Sequence, residues 1–289
     1  CLTGDLNSDG QNNVLDVVTL VNCVLNENCD GCTSDINSDG QNNVLDVVIL
    51  AGGLGTRVRD VLGNKQKVMA EVGGRPFLYL LLDQIWTLHV TAATIATGYK
   101  SLSVSNTLGQ RYRHMKLSYS EESHPLGTGG ALKKAAATLN KEWLLVMNGD
   151  SFIDLNFNSF MSWHTEQNEP RCSIVLTKVQ NPNRYGLVEV NASGIVLGFV
   201  EKPLDPYNQP GFINAGIYLF HRSTLASLPR STMFSIEQDF FARNKDITIS
   251  GYVTDGAFID IGTPESLAQA ATFLAQNAAP RESTLNVCR

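Results

Sequence analysis

Residues 48–57 read Val-Ile-Leu-Ala-Gly-Gly-Leu-Gly-Thr-Arg, an apolar run that breaks into a glycine-rich turn ending in a hydroxyl and a guanidinium. A short continuous apolar run suits a strand buried on both faces, and the turn after it suits a cradle for phosphates. Gly52, Gly53 and Gly55 let main-chain N–H groups approach phosphate oxygens with no Cβ in the way. Arg57 adds a forked cation that cannot be deprotonated. Two familiar phosphate turns are excluded by their endings. The P-loop closes on Gly-Lys-Ser/Thr and the dinucleotide fingerprint spells G-x-G-x-x-G, and this stretch has neither.

Outward from that turn, short apolar runs alternate with helical patterns, which predicts parallel strands joined by crossover helices. Strands are expected at Val47–Leu50, Ala93–Ala96, Lys116–Tyr119, Leu144–Met147, Ser173–Lys178, Gly216–Phe220 and Thr248–Val253. Tyr185–Val190 and Ile195–Val200, separated by Asn-Ala-Ser-Gly, read as a hairpin. Phe77–Leu88 and Gly129–Leu139 read as helices. The expected class is α/β: a Rossmann-like, doubly wound mixed sheet, open to ligand at the carboxyl ends of its strands. Asp150 directly follows Leu-Leu-Val-Met-Asn-Gly, and Asp260 ends Ala257–Asp260. Both therefore stand where strand ends deliver side chains into the crevice, and two carboxylates suit one magnesium ion bridging phosphate oxygens. A turn or helix cap is the other reading for either aspartate.

The order of short blocks is more specific than any one of them. After the 48–57 turn come Lys67-Val68-Met69-Ala70, Gly74-Arg75-Pro76-Phe77, Gly127-Thr128-Gly129-Gly130-Ala131, Asn148-Gly149-Asp150, Glu201-Lys202-Pro203, Asn214-Ala215-Gly216 and Asp260-Ile261-Gly262-Thr263-Pro264-Glu265. Together they resemble the sugar-1-phosphate nucleotidyltransferases over residues 47 to about 275. That family's turn is usually written L-A-G-G-x-G-T-R-L, from which only Val58 departs. The resemblance implies the nucleotide-diphospho-sugar transferase fold and transfer of a nucleotidyl group from a nucleoside triphosphate to a sugar 1-phosphate. It assigns Asp150 and Asp260 to Mg2+, Arg57 to the departing pyrophosphate, Lys67 to the α-phosphate and Lys202 to the sugar phosphate. Leu50, Ala51, Gly52, Gly53, Gly55, Thr56, Gly127, Thr128 and Gly129 would bind the nucleotide. Glu201 and Asn214 would bind sugar hydroxyls, with Gly186 allowing close approach of the ring. The family's two prolines around the lysine are missing in Gln66-Lys67-Val68, and a solvated lysine is the plainer reading of Lys67 and Lys202.

Ser235-Ile236-Glu237-Gln238-Asp239-Phe240-Phe241 and the Gly262-Thr263-Pro264-Glu265 ending look most like the D-glycero-D-manno-heptose 1-phosphate guanylyltransferase branch, which would take GTP. Mannose-1-phosphate and glucose-1-phosphate nucleotidyltransferases share the main blocks. A glycosyltransferase would want an Asp-x-Asp pair where this chain has Asp150-Ser-Phe-Ile-Asp154, and would lack the G-x-G-T-R turn. The five histidines share no ligand or triad spacing and no basic stripe is present, so zinc, triad and nucleic-acid chemistry have no support.

Upstream the composition changes. Residues 1–46 hold eight of the 28 acidic residues and none of the 22 basic ones, so the net charge of −6 hides an acidic segment beside a nearly neutral one. That marks a boundary between 1–46 and 47–289. Asp5–Val18 and Asp35–Val48 are the same fourteen residues except for Leu6 against Ile36. Each copy has side-chain oxygens at calcium-loop spacing and a glycine at position 6. The first set is Asp5, Asn7, Asp9, Gln11, Asn13 and Asp16; the second is Asp35, Asn37, Asp39, Gln41, Asn43 and Asp46. Polar Asp/Asn/Gly turns are the plainer reading. The pair resembles the dockerin type I repeat, which implies bound Ca2+ and a cohesin-like protein partner, and leaves open a docking protein with a vestigial transferase part. Val47 and Val48 belong both to the second repeat and to the phosphate-turn strand. The strand is expected to win, because its loss would cost the larger core.

Cys1, Cys23, Cys29 and Cys32 crowd the acidic segment, while Cys172 and Cys288 lie beyond it. Dense cysteines favour an oxidising setting, whereas the nucleotide substrates point to the cytoplasm. No apolar stretch is long enough to cross a membrane, and no basic-then-apolar leader opens the sequence.

Overall fold

The computed structural model describes residues 45–277 except Leu54, Asn64, His89, 99–100, 168–170, 202–208 and 244–246. The calcium loops up to residue 44, Lys202, and every cysteine but Cys172 lie outside the described residues. The first half runs β1 (Asp46–Leu50), α1 (Arg59–Leu62), β2 (Glu71–Val72), β3 (Arg75–Pro76), α2 (Phe77–Trp86), β4 (Ala92–Thr97), α3 (Ser101–Leu108), β5 (Arg111–Tyr112), β6 (Met115–Glu121), α4 (Gly127–Ala136) and β7 (Trp143–Asn148). The second half runs β8 (Ser151–Ile153), α5 (Phe157–Thr165), β9 (Cys172–Val179), β10 (Gly186–Val190), β11 (Val196–Glu201), β12 (Gly211–His221), β13 (Ile249–Thr254), β14 (Phe258–Asp260) and α6 (Pro264–Asn277).

β1 begins at Asp46, so the boundary expected after residue 46 falls inside the strand's first step. Val47, Val48, Ile49 and Leu50 are all buried. Val47 and Ile49 face the core that includes Phe77, Leu78, Leu81, Leu82 and Ile85 of α2. Val48 and Leu50 face the one that includes Leu132, Ala135 and Ala136 of α4. A strand covered on both faces needs no polar alternation, which is why the sequence reads as a continuous apolar run. Each such buried side chain contributes about 2 kcal/mol. Asp46 itself accepts hydrogen bonds at Oδ2 from the amides of Asn140 (3.0 Å) and Lys141 (2.8 Å). The residue expected at position twelve of the second calcium loop is thus committed to the turn that enters β7.

β1 pairs in parallel with β4 on one side and β7 on the other, and β4 with β6. Beyond β7 the sheet turns antiparallel through β12, with β10 and β11 continuing the path to the edge and β9 and β13 joined beside β12. The sheet is mixed, as expected. The chain leaves β1 toward β4 and β6 and returns to β7 on the far side, so a crevice opens above the carboxyl ends of β1 and β7. The register sets Leu50 against Asn148. Gly149 then donates its N–H to Leu50 O at 2.9 Å, and a Cβ there would lie 2.7 Å from that oxygen.

β12 starts five residues before the expected Gly216, and the reason lies in its partner strand. Its pairing with β9 shifts register between Asn214 and Tyr218, with Gly216 at φ +79°. Asn214 therefore sits inside the strand at a bulge, a device that re-aims side chains near sites. The expected hairpin forms as β10 and β11.

Candidate active site

The crevice is a cavity of about 750 Å³ whose walls include Leu50–Gly53, Gly55, Arg57, Lys67, Asp150, Gly186, Asn214 and Asp260. Residues scattered over more than two hundred positions are brought to one space by the ends of β1, β7, β10 and β14 and the bulge in β12. Gly53 at φ +136° and Gly55 at φ +54° take conformations that L side chains avoid, so the turn folds back over β1. Arg57 is exposed at the cavity wall, in a single 3-10 turn, Thr56–Val58. Val58, the departure from the family's turn, is fully buried.

Lys67 also lies in a 3-10 turn, Lys67–Met69, held down by buried Val68 and Met69; Gln66 and Val68 stand where the family has prolines. Its Nζ donates to Asp150 Oδ2 at 2.6 Å. Asp260 is set beside Asp150 by a short antiparallel ladder, in which Asp260 pairs with Ser151 and Ile261 N–H donates to Asp150 O at 2.9 Å. Asp260 Oδ1 accepts from Gly262 N–H at 2.7 Å. Its Oδ2 accepts from Arg184 at 2.9 Å and from the Tyr185 hydroxyl at 2.7 Å. Burial and the Asp260 carboxylate push the Tyr185 phenol well above its ordinary value, so it remains a donor. Two carboxylates on neighbouring strand ends, each faced by one cation, make a donor set that fits a hard divalent ion. No cluster of three or more His, Cys, Asp or Glu is present among the described residues. Magnesium would complete its shell from phosphates and water, its usual habit.

On the opposite wall Gly186 pairs with Glu201 across β10 and β11. Asn214 accepts at Oδ1 from Gly216 N–H and donates from Nδ2 to the Tyr218 hydroxyl, both at 2.8 Å. Beyond the turn lies a smaller cavity of about 130 Å³, lined by Gly52, Gly53, Gly98, Glu122, Gly127 and Thr128 among others. Glu122 Oε2 accepts from Leu126 N–H at 3.0 Å, while its Oε1 is buried with no hydrogen-bond partner among the described residues. Burial raises this carboxyl above its ordinary value.

The turn at 127–130, two of whose residues, Gly127 and Thr128, line the smaller cavity, is also a packing site. The amides of Gly129 and Gly130 both donate to Phe234 O, at 3.0 and 3.4 Å, and are not free for a nucleotide. Gly129 lines neither cavity. A Cβ at Gly127 would lie 2.5 Å from Phe234 O, and one at Gly130 would lie 2.3 Å from Thr232 O. These glycines let the 232–236 segment dock on the start of α4. Thr128 remains at both cavities.

Arg184, Tyr185, Glu122, Glu237 and Tyr218 were not singled out for roles by sequence. Glu122 follows β6 directly, and a strand end pointing into the crevice was the available signal. Arg184 and Tyr185 carry no such mark.

The chain matches the family described as "Nucleotidyl transferase" over residues 46–277. It is 32% identical over 223 residues to the D-glycero-alpha-D-manno-heptose 1-phosphate guanylyltransferase of Aneurinibacillus thermoaerophilus, covering 77% of this chain and 95% of that one. It is 31% identical to the mannose-1-phosphate guanylyltransferase of Mycobacterium tuberculosis, over 80% of this chain and 65% of the relative. Among solved structures it superposes on HddC from Yersinia pseudotuberculosis complexed with GMP-PN, with a TM-score of 0.70 and 31% identity, over 79% of this chain and 98% of that one.

Proposed function

This chain belongs to the nucleotidyl transferase family and is a sugar-1-phosphate nucleotidyltransferase; from that premise we propose that it joins GTP to a heptose 1-phosphate and releases pyrophosphate. The observation that carries the choice of base is the orphaned Glu122 oxygen beside Gly52 in the smaller cavity. Guanine presents an N1–H next to an N2 amino group, two adjacent donors that one carboxylate accepts together. Adenine and cytosine place a ring-nitrogen acceptor beside their amine, and uracil flanks its one N–H with two carbonyls. The names of the relatives support the same base, and the heptose rests on relatives whose length is almost fully matched. Mannose 1-phosphate is the second reading, favoured by the mycobacterial relative.

In this reading the sugar-phosphate oxygen attacks the α-phosphorus in line while pyrophosphate leaves. Both reactants are anions, so the protein's work is positioning and charge compensation. The glycine turn and Arg57 hold the departing phosphates, Lys67 the α-phosphate, and Lys202 the sugar phosphate, with Glu201, Asn214 and Gly186 against the sugar. Asp150 and Asp260 would hold magnesium, which supplies screening of phosphate charge. Convergence of Arg57, Lys67, Asp150 and Asp260 on one cavity argues against a vestigial transferase. The substrates favour the cytoplasm; among the described residues no helix is long and apolar enough to cross a membrane.

Pyrophosphate release across ATP, CTP, GTP and UTP, each with heptose, mannose and glucose 1-phosphates, tests this directly. GTP with heptose 1-phosphate should be fastest. Glu122→Gln replaces an acceptor with a donor and should cut kcat/KM for GTP by about 100-fold, with the KM for the sugar phosphate little changed. UTP used as well as GTP, or a Glu122→Gln enzyme that keeps its GTP preference, would overturn the base assignment.

For residues 1–46 we propose calcium binding at the first loop, Asp5 to Asp16, with a cohesin-like docking partner. The second loop should bind weakly, because Asp46 is held in β1. Calorimetry with calcium should show one tight site, lost in Asp9→Ala and kept in Asp39→Ala. Two equal tight sites would refute the competition.

A further inference from the structure

The segment Ser235–Phe241 attracted notice in the sequence but carries none of the chemistry above. It forms a π-helical turn, Ile236–Phe241, a rare conformation that recurs at functional sites. Ser235 opens it, accepting at Oγ from Gln238 N–H at 3.1 Å. The glycines of α4 admit this segment, so the fold gives up side chains at the start of that helix to seat it.

Glu237 is the residue so placed, and it lines the large cavity. Its Oε2 accepts from the Thr128 hydroxyl at 2.7 Å and the Ser235 hydroxyl at 2.8 Å. Its Oε1 accepts from the Tyr218 hydroxyl at 3.3 Å. Thr128 is itself oriented, its Oγ1 accepting from Ile236 N–H at 2.9 Å. All three donors to the carboxylate are neutral, and no salt bridge links it to a cation among the described residues. Tyr218, fully buried, in turn accepts from Asn214 Nδ2. Glu237 and Asn214 are thus two ends of one hydrogen-bonded chain, and both reach the same cavity.

A negative group on the wall of a cavity for phosphates is unfavourable wherever a phosphate comes near, since like charges 4 Å apart repel by about 4 kcal/mol near a protein surface. It is tolerated where the substrate is uncharged and rich in donors. A carboxylate offers about four acceptor positions, and three donors leave Oε1 with room for one more. Asn214 has donated one of its two amide protons. The pair therefore offers an acceptor and a donor held on either side of the Tyr218 hydroxyl, a complement to the hydroxyls of a pyranose ring that repels a carboxylated sugar.

We propose that Glu237 is a specificity-determining residue that accepts a hydrogen bond from a ring hydroxyl of the sugar 1-phosphate, in concert with Asn214. This rests on the sugar-1-phosphate reading of the site. It adds a residue that selects neutral, hydroxylated sugars over uronic acid 1-phosphates.

The test is steady-state pyrophosphate release by wild type, Glu237→Gln and Glu237→Asp. The substrates are GTP with the heptose 1-phosphate, mannose 1-phosphate, the single-deoxy analogues of mannose 1-phosphate, and glucuronic acid 1-phosphate. Glu237→Gln should raise the KM for the parent sugars by about tenfold or more and leave the KM for GTP within about twofold. Its discrimination against one deoxy analogue should collapse, a readout that simple loosening of the turn does not produce. Glu237→Asp, which keeps the charge, should retain that discrimination in part, and it stands in if the glutamine variant does not fold. An active wild type whose variants weaken both substrates equally, or keep full discrimination, would overturn the role of Glu237 alone. A wild type that turns over no sugar 1-phosphate would overturn the underlying reading as well.

Discussion

Asp150→Asn is expected to lower kcat by about 10³-fold or more while the protein stays folded. The substitution keeps the side chain's size but removes one of two charges that would hold the metal, and metal screening of the α-phosphate is a transition-state effect worth several kcal/mol. The structural loss is small. Asp150 is paired with Lys67 at 2.6 Å in a part-buried pair whose side chains are 40% and 18% exposed, and solvent at the carboxylate keeps the contribution of such a pair to about 1 kcal/mol. An amide oxygen still accepts from Lys67. Pyrophosphate release and a thermal melt on the same preparation check both halves. Turnover within twofold of wild type would remove Asp150 from the metal site, and a large fall in Tm would show that the pair is chiefly structural.

Gly130→Ala sets local preference against tertiary contact. Alanine is favoured over glycine in a helix interior by about 1 kcal/mol, and Gly130 lies inside α4 with no positive φ, so the sequence alone predicts stabilisation. The structure predicts the opposite. The new Cβ would lie 2.3 Å from the backbone oxygen of Thr232 and 3.0 Å from Leu126 Cβ, and neither can swing aside as a side-chain tip can. Overpacking of this kind costs about 1–3 kcal/mol, enough to lower Tm by several degrees in a domain of this size. Activity should fall further than stability, because Ser235 and Glu237 are carried on the displaced segment. Differential scanning calorimetry decides the sign: a Tm equal to or above wild type would show that the 232–236 segment is not seated as described.

The strands that build the site were legible because each is decided within its own few residues. Val47–Leu50 is apolar at every position since both faces are covered, and the Asn-Ala-Ser-Gly turn between β10 and β11 carries its own hairpin geometry. Asp150 and Asp260 were legible for a related reason: a polar residue at the end of an apolar strand has one place to go in an open α/β sheet. The extent of β12 was not, because the bulge at Asn214–Tyr218 arises from pairing with β9, some forty residues away.

By itself, then, the sequence determined the α/β class, the glycine turn that carries Arg57, and the two strand-end aspartates, all consequences of periodicity and backbone preference acting over short spans. Only the tertiary structure decided which side chains meet. Lys67 and Asp150 are 83 residues apart, Arg184 and Asp260 76, and Thr128 and Glu237 109. The order of β7, β1, β4 and β6 in the sheet put Glu122 beside the turn after β1, and no local pattern encodes that order. The same holds for Gly127, Gly129 and Gly130. The resemblance reads Gly127 and Gly129 as part of a nucleotide-binding loop, and only the packed structure shows that these glycines also admit a second backbone, because close approach of a backbone and of a ligand both ask only for a missing Cβ.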